Sequence, residues 1–92
     1  MKVIKHPITV TGTFCNGDFI VSSFSILTDK VCLVYKQGTP EKAANKEIGV
    51  QGLRYRVVTE EFDEELLVRR KRALWREGDA WYIEKQVEDE SL

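Results

Sequence analysis

The side chains with the most chemical potential lie together in the last third of the chain. Arg69, Arg70, Lys71 and Arg72 form an unbroken cationic run, and Trp75, Trp81 and Tyr82 follow it closely. Guanidinium forks match the paired oxygens of phosphate and carboxylate, and indole and phenol rings offer faces for stacking. The combination suits a phosphate-bearing strand or a protein surface. Acids precede the run at Glu60, Glu61, Asp63, Glu64 and Glu65, and Glu88, Asp89 and Glu90 close the chain. Those carboxylates can neutralise the cations internally, which is the plainest alternative to an external anion.

Little else in the chain could do covalent chemistry. His6 is the only histidine and stands directly before Pro7, which suits a structural or solvated imidazole better than a general base. Ser22, Ser23 and Ser25 have no nucleophile-elbow sequence around them, and no glycine-rich phosphate loop occurs. The acids from Glu60 to Glu65 lack the spacing and the turn glycine of a calcium loop. Cys15 and Cys32 lack the close ligand pairs of a zinc site, and two buried reduced thiols are expected instead. The expectation is a protein that is not an enzyme and uses neither metal nor cofactor.

Composition narrows the class further. A chain of 92 residues makes one domain with one modest core, and 42% hydrophobic content is enough to fold it. Fourteen basic and 15 acidic residues leave a net charge of -1, so a globally basic nucleic-acid binder is disfavoured and only a local patch can serve. The longest uncharged run, Pro7 to Gly17, is rich in threonine and lacks the length of a spanning helix and the apolar core of a signal peptide. A cytoplasmic protein without membrane contact is expected.

The elements that must position these residues read mainly as strands. From Val3 to Phe14, Ile8, Val10, Gly12 and Phe14 alternate with threonines, the period of a half-buried strand. Asn16-Gly17 signals a tight hairpin turn. A second strand follows from Asp18 to Leu27, apolar on both parities and broken by serines as for a central strand with a bend, and Thr28-Asp29-Lys30 reads as a turn. Val31 to Lys36 makes a third strand. Thr39, Pro40 and Glu41 carry helix-start chemistry, so a short helix or ordered loop is expected near 39–46. Gln51-Gly52 suggests a turn or bulge, and Leu53, Tyr55 and Val57 alternate with Arg54 and Arg56 in a fourth strand.

Residues 59–77 admit two backbones. A helix would have Thr59 as cap, acids in its first turn, cations toward its end and Gly78 as terminator, but Asp63, Arg70 and Glu77 would interrupt its apolar arc. A hairpin turning at Glu77-Gly78 sets Arg76 opposite Asp79, Leu74 opposite Trp81 and Lys71 opposite Glu84. The hairpin is favoured. The fold expected is a small antiparallel barrel or strongly bent sheet of five to six strands, with α+β and a helix at 59–77 as the alternative. Residues 88–92 read as a frayed acidic tail.

In the hairpin, Leu74, Trp81 and Ile83 share one face with Arg70 and Arg72, while Trp75 and Tyr82 share the other with Lys71 and Glu84. One of those faces is expected to be open to solvent. Trp, Tyr and Arg together have the composition of interface hot spots. The leading expectation is a non-catalytic protein-interaction or structural module, capable of self-association, with Arg70, Arg72, Trp75 and Tyr82 as anchors. The alternative is a single-stranded nucleic-acid binder using Arg54, Arg56, Arg69 and Lys71. A small-ligand pocket or enzyme stands third.

Overall fold

The computed structural model describes residues 2–27 and 30–87, and no helix forms among them. Seven strands follow in chain order: β1 (Lys2–Cys15), β2 (Asp18–Leu27), β3 (Lys30–Gln37), β4 (Glu41–Asn45), β5 (Val50–Asp63), β6 (Leu66–Glu77) and β7 (Ala80–Val87). They join one sheet in the order β3-β2-β1-β7-β6-β5-β4, and β3 also pairs with β5. That last pairing closes six strands into an antiparallel barrel, with β4 as an extra strand on β5. The residues expected to form a tail, 88–92, lie outside the described residues, as do Thr28 and Asp29 of the expected turn.

Local chemistry explains most of the barrel. Asn16 and Gly17 both take positive φ, 52° and 85°, the turn that matches the twist of a two-residue hairpin. The register of β1 on β2 shifts after Thr11, leaving Ser22 as the extra residue, with its hydroxyl donating to the Thr11 carbonyl at 2.9 Å. The bulge explains the expected bend, because it lets Val21 and Phe24 both point inward although they are three positions apart. β1 pairs with β7 through its first half and with β2 through its second, so it turns a corner of the barrel. Val21, Phe24, Cys32, Tyr55, Val57, Leu74 and Ile83 fill the interior, with Ile8 and Val10 packed against them.

The stretch near 39–46 is a strand where helix-start chemistry suggested a short helix. Glu41 to Asn45 lies along β5, from Glu41 opposite Arg54 to Asn45 opposite Val50. Backbone pairing and packing of Ala43 against Ile48, Val50 and Trp75 outweigh the weak local helix preference. Gly52 is no turn either. It sits inside β5, where a Cβ would meet the Arg76 carbonyl oxygen at 2.1 Å, so only glycine allows the strands to approach there.

Residues 66–87 form the expected hairpin, and the helical alternative for 59–77 does not occur. The register differs by two residues. Gly78 and Asp79 make the loop, with Gly78 at φ 63°, so Glu77 faces Ala80, Arg76 faces Trp81 and Trp75 faces Tyr82. The reason is the turn type, which needs its glycine in the first central position. A shift of two preserves which side chains share a face, but the expected pairs Arg76–Asp79, Leu74–Trp81 and Lys71–Glu84 do not form.

Around Leu74 and Trp75 both faces of this hairpin are covered, so the open face expected at Trp75 does not occur there; the face opens only toward Lys71, Arg69 and Leu67. Leu74 and Ile83 point into the barrel. Trp75 points the other way into a second, smaller cluster with Ile48 and Val50, flanked by Val3, Ala43, Ala73 and Tyr82. β4 and the turn after it bring that cover from a distant part of the chain. Burial of a large side chain on this scale contributes roughly 1.5–3 kcal/mol. The cysteine expectation also needs correction: Cys32 is buried, Cys15 is exposed, and neither is in a disulfide.

Candidate interaction surface

Strand alternation sorts the cationic run. On β5, Tyr55, Val57, Thr59 and Glu61 point inward, so Arg56, Val58, Glu60 and Phe62 point outward. On β6 the inward set is Arg72 and Leu74, and the outward set is Leu67, Arg69, Lys71 and Ala73. On β3, Cys32 is inward while Val31, Leu33 and Tyr35 are more than half exposed. An irregularity between Val34 and Lys36 shifts the register and sets Lys36 opposite Val58.

The outward residues form rows across three strands. Phe62 faces Leu67, Leu33–Glu60–Arg69 makes the next row, and Lys36–Val58–Lys71 the one after. Arg56 faces Ala73, and the Gly38 amide donates to the Arg56 carbonyl at 2.9 Å. The guanidinium of Arg69 lies 3.9 Å over the Tyr35 ring, a cation–π stack on an exposed wall. Lys36, Arg56 and Lys71 rim a concavity of about 410 Å³ whose lining includes Val58 and Ala73. One end of the wall is thus apolar and the middle is basic.

Residues on the inward side have other employment. Arg72 donates two hydrogen bonds to Glu61, from Nε at 2.8 Å and from an Nη at 2.9 Å. Glu61 is only 5% exposed, and the Thr59 hydroxyl donates to the same carboxylate at 2.5 Å. The hydrogen bond to Glu61 raises the Arg72 pKa above its ordinary value despite the opposing effect of burial, so the guanidinium is charged at any working pH. Arg70 reaches Asp63 at 3.0 Å near the barrel mouth. Half of the cationic run is therefore matched by acids of its own chain.

The four expected anchors Arg70, Arg72, Trp75 and Tyr82 do not make one surface. Arg70 and Arg72 belong to the inner side of β6. Trp75 is 4% exposed, sealed on the opposite side under Ile48 and Val50 by contacts the hairpin alone could not reveal. Tyr82 is half-buried at the rim of that cluster, with the Lys5 ammonium 4.6 Å above its ring. The other expected set is brought together better. Arg56, Arg69 and Lys71 share the outer wall, whereas Arg54 packs 5.8 Å over Trp75 and pairs at 3.3 Å with Glu41, a carboxylate that also lies 3.8 Å from the exposed Arg56.

Lys36, Tyr35, Leu33 and Phe62 complete the wall and were not singled out from sequence. A signal existed in β3, where Val31, Leu33 and Tyr35 alternate with Cys32 and Val34 so that both parities are apolar. One face of such a strand must be either core or contact surface. His6 donates from Nε2 to the Ile26 carbonyl at 3.0 Å, the structural use expected of it. No helix of the described residues is long and apolar enough to cross a membrane. Comparison with protein-family models, with curated proteins and with solved structures returns no match.

Proposed function

We propose that the chain is a non-catalytic protein-interaction module of the cytoplasm whose working surface is the outer wall of β3, β5 and β6. One observation carries the reading: Leu33, Tyr35, Phe62 and Leu67 stand exposed, at 57, 54, 78 and 56%, on the same wall as Arg56, Arg69 and Lys71. Apolar patches rimmed by charge are where proteins dock. The anchors move accordingly from Trp75 and Arg72 to Tyr35 and Arg69. The exposed thiol of Cys15 suits a reducing compartment and so supports the cytoplasmic assignment.

A photo-crosslinking residue at Tyr35 tests this reading against one at Thr13, an exposed position on β1. Protein adducts from position 35 and not from 13 are expected in cells. Equal yields from both, or none from 35, would remove the wall as the working surface.

A second reading has its own support. Lys36, Arg56 and Lys71 around one concavity, with Tyr35 beside it, combine phosphate contacts with a stacking ring as single-stranded nucleic-acid sites do. Titration of a labelled oligothymidylate should then show affinity that falls steeply with salt and drops in Lys71→Glu. Flat titrations at low salt dispose of it.

A further inference from the structure

The tip of the β5–β6 hairpin has the chemistry opposite to the concavity. Phe62 and Leu66 are 78 and 70% exposed, and between them stand Asp63, Glu64 and Glu65. An acidic knob with apolar flanks fits a basic rim around an apolar floor. Resting on the reading of the outer wall as the working surface, we propose that the concavity of Lys36, Arg56 and Lys71 receives the β5–β6 tip of a second copy of this chain.

The contact cannot close within one molecule. β5 and β6 pair without interruption from Leu53–Arg76 to Asp63–Leu66, and the tip lies five pairs beyond Val58–Lys71. At the rise of an extended strand that is roughly 17 Å along a continuous ribbon, which has no bulge to fold it back on its own wall. Edge-to-edge pairing of β6 with β6 is a poorer route to self-association. It would set Arg69 to Arg72 against themselves, and like charges directly opposite destabilise a ladder.

The tip-to-concavity contact is also heterologous. A two-fold axis that exchanged tip and concavity would pass near the row midway between them and place Glu60 on Glu60 and Arg69 on Arg69. Head-to-tail docking avoids this, and it generates rings or longer assemblies instead of stopping at a dimer. The contact is small and charged, so assembly should grow with protein concentration and weaken with salt.

Sedimentation velocity on the purified full chain tests the proposal with two variants, Lys36→Glu/Lys71→Glu in the concavity and Glu64→Lys/Glu65→Lys at the tip. Wild type should form species larger than a dimer as concentration rises, and each variant alone should associate roughly tenfold more weakly. An equimolar mixture of the variants should assemble again, because reversed tip meets reversed concavity and native tip meets native concavity. A wild type that stays monomeric or stops at a dimer, variants that assemble like wild type, or a mixture that does not recover would each overturn the proposal. Should a double variant fail to fold, Lys71→Ala and Glu64→Gln are measured singly: each should lose association several-fold, unchanged association in either overturns the proposal, and no recovery is expected on mixing because neither charge is reversed. A monomeric wild type that still gives crosslinks from Tyr35 to another protein removes the second copy as occupant and leaves the wall standing; loss of the crosslinks themselves removes both.

Discussion

Neighbouring cations of β6 live in different environments. Arg72 is locked to Glu61 by two hydrogen bonds beside a buried threonine, and Arg70 is held by Asp63. One residue along the strand in either direction, Arg69 stacks on an exposed tyrosine and Lys71 stands at the rim of a concavity. A continuous basic run in a strand is therefore two half-runs with different work. The inner half is paired with acids of its own chain and the outer half faces solvent. Charge counting along the chain cannot separate them, but period-two alternation does.

The largest effect expected on stability comes from outside that run. Trp75→Ala should destabilise the chain by about 3–5 kcal/mol in urea unfolding, because it empties the centre of the second cluster. A loss below about 1 kcal/mol would mean that the cluster is surface decoration and that Trp75 is available for contact after all. Glu61→Ala should cost roughly 3 kcal/mol, the lower end for breaking a buried pair, since Arg72 keeps a quarter of its side chain in solvent. If Glu61→Ala behaved as an ordinary surface change, the inner half of the run would be no more committed than the outer.

Smaller effects sharpen the contrast. Glu64 and Glu65 take φ of 48° and 73° at the hairpin tip, a conformation that costs a residue with a Cβ roughly 1 kcal/mol. Glu65→Gly should raise stability by about that amount while weakening self-association, and a variant that gained stability and assembled normally would deny the tip its role. Trp75→Phe should change stability by less than about 1 kcal/mol, because the indole Nε1 is buried without a partner among the described residues and its removal offsets the lost volume. A large loss there would point to a polar contact at Nε1.

Much of the barrel was legible because its signals are local. The bounds of β2 and the Asn16-Gly17 turn follow from turn residues flanking an apolar run, and the existence of the final hairpin, though not its register, follows from its turn glycine. The misses share a cause as well. Thr39-Pro40-Glu41 resembles a helix start, and only pairing with β5 makes the residues that follow, Glu41 to Asn45, a strand. Trp75 reads as a surface anchor until Ile48 and Val50 arrive to cover it. Lys36 joins Lys71 only because β3 pairs with β5 across the barrel, a closure that no short window of sequence announces. The alternation that puts Arg69 and Lys71 on one face was visible from the start; which face would be core was not.

The division of the cationic run is tested most directly by measuring unfolding and self-association together in Arg72→Ala and Lys71→Ala. Arg72→Ala should lower stability by roughly 3 kcal/mol, whereas Lys71→Ala should leave stability within about 0.5 kcal/mol of wild type and weaken association several-fold. Equal losses of stability in the two variants, or association lost only through Arg72, would contradict the account.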